Sequence, residues 1–322
     1  MMIFYGLQQG RPVEIDSRII GPDVVWVDLL NPTKEEEQEL ERQLHLEVPT
    51  REEMAEIETS SRLYFDRHGL FLTADIASQA DPANPRIEPI TFILTGEKLI
   101  TVRYVQFRAF PTFLAECQRH PMTELNPWLT MTGLIEAIVD RSADVLERIG
   151  GDLDALSQRV FRHSGPDRRL VASKDLERVL LQIGQAHDLV TKVRTSLVSF
   201  TRLISFALQH RDLRADAVVA RLGAVKEDLA SLRDFDTVLS AKVDFLLEAT
   251  MGLINIEQNG ILKIFSVVSV LLLPPTLVAS VYGMNFHAMP GAENEHGFYY
   301  ALAAMAAAGA LPYLYFKLRR WL

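Results

Sequence analysis

The chain has 322 residues, a formal net charge of -9 and 48% apolar residues, which is close to the average for globular proteins. Bulk composition therefore does not indicate a membrane protein, and the length allows one large domain or two ordinary ones with an appendage. The single cysteine, Cys117, excludes an intrachain disulfide and a cysteine-cluster metal site. Residues 1–11 lack a basic start and a long apolar core, so no signal peptide is expected and the N-terminal region should stay cytoplasmic.

Residues 1–120 predict a cytoplasmic domain of mixed helices and strands. The apolar run Val24–Leu30 indicates a strand, and Thr33 with Glu36 three residues later forms a capping-box pattern that opens a charged helix. His68-Gly69 and residues 95–98 each separate two apolar runs, which is the pattern of a β-hairpin. We therefore expect a small α+β domain with an antiparallel tendency.

Residues 121–260 predict long amphipathic helices. Their apolar residues recur at spacings of three and four among many charges. The last of these helices has no strong breaker before the following hydrophobic stretch, because Gly252 and Gly260 only weaken a helix. One very long stalk helix should therefore run from the soluble part directly into the bilayer.

Two apolar segments near the C-terminus predict membrane spans at residues 261–281 and 298–316. The first has one charge, Lys263, and the second has none. At about 1.5 Å per residue, each approaches the roughly 30 Å of the hydrocarbon core. A pair of buried core helices is the alternative, but apolar runs of this length around a whole helix are unusual in soluble domains.

Basic residues predict the orientation of the spans. Lys263 lies at the start of the first span, and Lys317, Arg319 and Arg320 lie in the basic tail, residues 317–322. The loop at residues 282–297 has neither lysine nor arginine. By the positive-inside rule, both termini are cytoplasmic and the loop is periplasmic, as expected for a multi-pass protein of the bacterial inner membrane.

One face of the first span and of its cytoplasmic extension carries most of the small polar residues. Steps of three and four keep these positions on one side of a helix. The stripe consists of Asn255, Asn259, Leu262, Ser266, Ser269, Leu273 and Thr276. Such a stripe either packs against another helix or faces water, and two spans enclose a water-lined route only when several copies surround an axis.

A short motif follows the first span, with the sequence Tyr282-Gly283-Met284-Asn285-Phe286. In this position, shortly before a terminal second span, it resembles the signature of the CorA family of divalent-cation channels, and the C-terminal residues 312–322 resemble its bacterial magnesium-type branch. The resemblance implies an α+β cytoplasmic domain, a stalk helix and two C-terminal transmembrane helices, assembled as a funnel-shaped homopentamer. It also implies that Asn259, Leu262, Leu273 and Thr276 line a pore, the two leucines as hydrophobic constrictions.

The resemblance assigns ion selectivity to Gly283, Met284 and Asn285. Mg²⁺ prefers oxygen ligands and loses its water reluctantly, so a ring of asparagine carbonyls at the pore mouth can bind the hydrated ion through its waters. Gly283 should allow a tight turn or a close backbone approach, and Met284 should pack under the turn. The implied function is uptake of Mg²⁺, with Co²⁺ and Ni²⁺, by a protein whose partners are its own copies, lipid and divalent cations, without prosthetic group or nucleic acid.

Acidic residues raise two further expectations. Members of the magnesium-type branch commonly follow the Met-Pro of the loop with Glu-Leu, whereas this chain has Gly291-Ala292, and its acids come later at Glu293 and Glu295. These two are expected to draw cations to the mouth. The resemblance also implies a regulatory cytoplasmic Mg²⁺, for which candidates are Asp228, Asp234 and Asp236. A solvated acidic helix face is the alternative for these three residues.

Three other functions compete with Mg²⁺ uptake as interpretations of the sequence. His287 and His296 suit a transition metal, so a zinc transporter of the same superfamily is one alternative. A membrane-tethered scaffold or signalling protein explains two spans equally well but requires neither the stripe nor the motif. An enzyme is not expected, because the sequence has no phosphate loop, no cysteine–histidine nucleophile and no HExxH. The physiological ion, its direction and its driving force stay open.

Overall fold

A computed structural model of the chain describes residues 1–16, 19–78, 85–120, 126–162, 173–210, 216–284 and 296–319. The chain divides into two compact units. The first unit comprises Met1–Asp167 with Glu177–Leu247, and the second comprises Arg168–Leu176 with Glu248–Leu322.

The first unit contains a seven-stranded sheet. Its strands are β1 (Met2–Gln8), β2 (Arg11–Glu14), β3 (Val24–Leu30), β4 (Leu63–Phe65), β5 (Leu70–Ser78), β6 (Arg86–Leu94) and β7 (Leu99–Arg103). The spatial order is β2-β1-β3-β7-β6-β5-β4. The two predicted hairpins are present as the antiparallel pairs β4–β5 and β6–β7. The pair β3–β7 is parallel, so the sheet is mixed rather than purely antiparallel.

Successive side chains of a strand point to opposite sides of the sheet. Both faces of this sheet carry apolar side chains, and helices cover both. Val27 and Leu29 of β3 belong to a buried cluster that includes Leu40 and Met54 from the helices α1 (Lys34–Leu44) and α2 (Arg51–Met54). The side chain of Trp26 points the other way, with its ring 5.9 Å from that of Phe110. Both α1 and α2 begin with complete capping boxes, at Thr33 and Thr50.

A buried polar network joins β3 to β7 at the centre of the sheet. Arg103 Nη2 donates to Asp28 Oδ2 at 2.7 Å, and Thr101 Oγ1 donates to Asp28 Oδ1 at 2.7 Å. The indole of Trp26 donates to Thr101 Oγ1 at 3.0 Å. Every member of the network therefore has a partner, as buried polar groups require.

Further helices complete the chain. They are α3 (Thr59–Arg62), α4 (Ala109–Arg119), α5 (Pro127–Arg162), α6 (Ser173–Gln209), α7 (Asp216–Tyr282) and α8 (Gly297–Leu318). In the first unit α5, α6 and α7 bury their apolar stripes, and charged pairs such as Lys242–Asp154 at 2.5 Å connect them. The predicted long helix is α7, which continues without a break from the first unit to the end of the apolar segment.

Two helices of the described residues, α7 and α8, are long and apolar enough to cross a membrane. Most of the large apolar residues of α7 beyond Met251 are exposed, and so are most of those in α8. This pattern is the reverse of a soluble core helix, so the alternative of two buried core helices is wrong.

Candidate functional site

The candidate site is the C-terminal half of α7 together with the motif that follows it. All seven predicted stripe residues, from Asn255 to Thr276, have exposed side chains. Each of them therefore keeps a large part of its surface accessible in the single chain. The stripe is therefore a continuous free surface of the single chain, formed by amides, hydroxyls and two leucines.

The opposite face of α7 meets α8. The residues of α7 between 261 and 284 that are not exposed are Val267, Leu271, Pro274, Pro275 and Val278. At about 100° of rotation per residue, the centre of this set lies roughly half a turn away from the stripe. Within the described chain, the second span therefore does not cover the serine and threonine hydroxyls, so packing against that span does not explain the stripe.

The hydroxyls of the stripe donate to their own helix. Ser266 Oγ donates to the carbonyl oxygen of Leu262 at 2.8 Å, and Thr276 Oγ1 donates to that of Leu272 at 2.7 Å. A hydroxyl that donates backwards in this way keeps acceptor lone pairs on its outer side. The stripe thus presents oxygen acceptors, which suit the water shell of a cation.

Three residues of the signature motif, Tyr282, Gly283 and Met284, lie in the described part of the chain. A side chain at Gly283 would place its Cβ 3.2 Å from the carbonyl oxygen of Ala279, so glycine here permits a close backbone approach. Met284 is 48% exposed, and because the residues after it lie outside the described part of the chain, its packing under the turn stays a prediction. Asn285, His287, Glu293 and Glu295 lie outside the described residues. His296 is the exposed residue that precedes α8.

The three candidate regulatory acids occupy different environments on α7. Asp228 and Asp234 are exposed. Asp236 is 1% exposed, and its Oδ2 accepts from Arg194 Nε at 2.5 Å. Burial raises the pKa of Asp236, and the neighbouring Arg194 opposes this shift. Among the described residues no group of three acidic, histidine or cysteine side chains is placed to hold a metal ion, so a regulatory role for these acids stays a prediction.

The contact face of α8 was not predicted from the sequence. It consists of Ala301, Met305, Ala308, Gly309, Pro312 and Phe316, the side chains of α8 after Phe298 that are not exposed. Their spacing of three and four residues would have indicated a face. However, α8 is apolar on all sides, so hydropathy alone does not distinguish this face from the lipid-facing ones.

Solved structures of low sequence identity share this fold. The complete structure of the CorA magnesium transporter from Methanocaldococcus jannaschii superposes with a TM-score of 0.78 at 16% identity, covering 100% of this chain and 99% of that one. The structure of the full-length CmaX protein gives a TM-score of 0.70 at 15% identity, covering 100% and 98%. These likenesses confirm the predicted fold class, an α+β domain followed by long helices and two C-terminal membrane helices.

Sequence relatives match along almost the whole chain. The magnesium transport protein CorA of Sodalis glossinidius (strain morsitans) is 35% identical over 330 residues, covering 100% of both chains. That of Salmonella typhimurium is 34% identical over 301 residues, covering 93% of this chain and 92% of the relative. The model of the family described as CorA-like Mg²⁺ transporter protein matches residues 22–319. The chain therefore belongs to the CorA-like Mg²⁺ transporter family.

Proposed function

We propose that this protein conducts hydrated divalent cations, with Mg²⁺ as the main ion and Co²⁺ and Ni²⁺ as further substrates. The observation that carries the proposal is the exposed polar face of α7, which lies opposite its contact with α8. The names of the relatives, magnesium transport protein CorA, support Mg²⁺ as the ion. No prosthetic group and no catalytic residue enter this function.

The conducting unit is a homopentamer. One chain contributes only two candidate spans, and these enclose no pore. A ring of identical α7 helices turns the exposed stripe toward a common axis and leaves α8 on the lipid side. Asn255, Asn259, Ser266, Ser269 and Thr276 then line the pore with oxygen acceptors. Leu262 and Leu273 narrow it as apolar constrictions.

Selectivity lies at the outer end of α7. Gly283, Met284 and Asn285 form the mouth, where the amide oxygens of five Asn285 side chains accept hydrogen bonds from the water shell of the ion. A neutral amide replaces outer-sphere water without the tight hold of a carboxylate, so the ion can leave again. Glu293 and Glu295 increase the local concentration of cations in front of the mouth.

The protein lies in the inner membrane with both termini in the cytoplasm. Residues 1–120 form the cytoplasmic domain, residues 121–260 the long helices, and residues 282–297 the outer loop. We further propose that cytoplasmic Mg²⁺ regulates the channel through the acidic residues of the stalk, for which Asp228, Asp234 and Asp236 are the candidates. The buried carboxylate of Asp236 has Oδ1 without a hydrogen-bond partner, which supports its inclusion.

The function is tested with the purified full-length protein in liposomes. Uptake of Mg²⁺, Co²⁺, Ni²⁺ and Zn²⁺ is followed with an internal indicator, with and without a proton gradient, and the mass in mild detergent is measured in parallel. We expect Mg²⁺ flux without a proton gradient and a pentameric mass. Proton-coupled Zn²⁺ transport with little Mg²⁺ flux would favour the zinc alternative. A stable monomer or dimer without any flux would leave only a scaffold.

A further inference from the structure

Helix α7 loses two backbone hydrogen bonds at the level of its paired prolines. Pro274 and Pro275 have no N–H groups, so the carbonyl oxygens of Val270 and Leu271 lack their usual donors four residues later. Such a point is where a helix bends or yields when it is pushed. The position of α7 at this level therefore depends on what packs against it.

Gly309 of α8 packs against this point. A Cβ atom built on Gly309 lies 3.3 Å from Pro275 Cγ and 3.6 Å from the carbonyl oxygen of Leu271. Because a Cβ replaces one of the two Cα hydrogens of glycine, a Cα–H group of Gly309 faces the carbonyl that has lost its donor, as recurs where helices approach closely. The φ of Gly309 is not in the left-handed region, so the approach of α7, rather than the backbone conformation, requires glycine here.

The contact acts directly on the polar stripe. At about 100° per residue, Leu273 lies about 200° around the helix from both Leu271 and Pro275. A side chain at position 309 would press on Leu271 and Pro275, and would displace α7 in the direction that Leu273 faces. In a ring of α7 helices that direction is toward the axis.

We infer that Gly309 is a positioning residue for conduction: its missing side chain sets the distance of α7 from α8 and thereby the width of the pore at Leu273. This inference rests on the proposed channel function. It makes the second span more than a lipid-facing return of the chain, because one of its residues determines how far the apolar ring at Leu273 is open.

Flux through Gly309 variants tests the inference. Gly309→Val is expected to lower Mg²⁺ flux into liposomes by about tenfold, on the order of the effect of overpacking a close contact. Gly309→Ala should have a smaller effect, since Pro275 Cγ needs to move by only a few tenths of an ångström. The matched control is Ala307→Val, which adds valine on the exposed side of the same helix and should leave flux within about twofold.

A rescue variant separates positioning from general damage. Adding Pro275→Ala to Gly309→Val removes the ring that the new side chain strikes, so the double variant should recover much of the lost flux. Equal loss in the single and double variants, with intact pentamers, would overturn the inference. Wild-type flux in Gly309→Val would overturn it as well.

A labelling experiment gives a readout that does not depend on ion flux. In a Cys117→Ala background, which removes the only native cysteine, Leu273→Cys reacts with a water-soluble thiol reagent in the reconstituted protein. Gly309→Val should slow this reaction several-fold and leave that of Asn259→Cys, about 21 Å further along the helix, unchanged. Unchanged rates at both positions contradict the role of Gly309. If the wild type shows no flux but Gly309→Val still slows labelling at Leu273→Cys and not at Asn259→Cys, only the channel function is contradicted.

Discussion

The two halves of helix α7 have the same backbone and opposite surroundings. In the first unit, Leu222, Leu229 and Leu246 are completely buried by the rest of their own chain. Beyond Met251, large apolar residues such as Phe265 and Leu277 are exposed, and Val267 at 9% exposure is the best-buried position between 251 and 284. The first half is therefore stabilised within one chain, whereas the second half leaves most of its apolar surface for the membrane.

This difference separates folding from conduction. Changes in the first unit should alter the free energy of unfolding and leave the pore intact as long as the unit folds. Changes along the second half of α7 and at its outer end should alter flux and leave the stability of the sheet unchanged. Variants in the two halves should therefore differ in whether they change stability or flux.

Asn285→Ala should have the largest effect and should abolish Mg²⁺ flux. The variant removes the amide oxygens that we propose hold the hydrated ion at the mouth, and it leaves the apolar spans unaltered. Liposome uptake measures the flux, and size in detergent confirms assembly. Asn294→Ala is the matched control, because it removes the same group from the same loop and should keep most of the flux. Normal flux in Asn285→Ala would contradict selection of the ion by the Asn285 amides.

Arg103→Met should destabilise the first unit strongly. It leaves the 1% exposed side chain of Asp28 without its ion-pair partner, and breaking a buried pair costs about 3–5 kcal/mol. The matched control is Arg51→Met, whose pair with Glu88 spans 3.4 Å and whose side chain is 57% exposed. It should cost at most about 1 kcal/mol.

Denaturant unfolding of the full-length protein in detergent, followed by tryptophan fluorescence, compares the two variants. Trp26 belongs to the network and reports on it directly. Equal midpoints for Arg103→Met and Arg51→Met would show that the network does not hold β3 to β7. Arg51→Met should also conduct Mg²⁺ normally, since it alters no residue of the proposed pore.

Asp236→Asn should change how stability depends on pH, with a smaller effect than Arg103→Met. Burial raises the pKa of Asp236 above its ordinary value, so the folded state binds this proton more tightly than the unfolded chain. The contribution of Asp236 to the free energy of unfolding is then largest below the ordinary aspartate pKa. It is lost as the pH rises through the raised pKa of the folded state. The asparagine variant should lack this loss. Asp234→Asn, an exposed neighbour, should retain it, and identical pH profiles for wild type and Asp236→Asn would contradict the argument.

Local signals account for the parts of the fold that were predicted. The strand β3, the capping box at Thr33 and both hairpins depend on residues close together in the chain. The parallel pairing of β3 with β7 joins segments about 75 residues apart, as the contact of Trp26 with Thr101 shows. Pairing over such a distance leaves no local pattern. The antiparallel pairs β1–β2 and β1–β3 were not predicted either, although β1 and β2 are joined by only Gln9 and Gly10.

The candidate site divides in the same way. Steps of three and four residues were enough to predict the stripe, since helical rotation fixes which residues share a face. The side of α7 that α8 occupies could not be predicted, because Ala-rich α8 offers no polar face to orient it. The close contact of Gly309 with Leu271 and Pro275 joins residues of different helices, so it is visible only in three dimensions.

Neutralising Glu293 and Glu295 should have the smallest effect on Mg²⁺ flux, and this effect should depend on the salt concentration. We propose that their charges attract cations in solution before the mouth. The double variant Glu293→Gln with Glu295→Gln should therefore lower Mg²⁺ flux by about two- to fivefold at low ionic strength. The loss should shrink in about 0.5 M monovalent salt, where the Debye length falls below roughly 5 Å. Glu58→Gln, in the cytoplasmic domain, controls for the loss of a negative charge elsewhere in the chain and should leave Mg²⁺ flux unchanged. A loss of flux that persists at high salt would mean that these carboxylates bind the ion directly. They would then form a second selective group beside Asn285, and the conducting part of the molecule would extend into the loop.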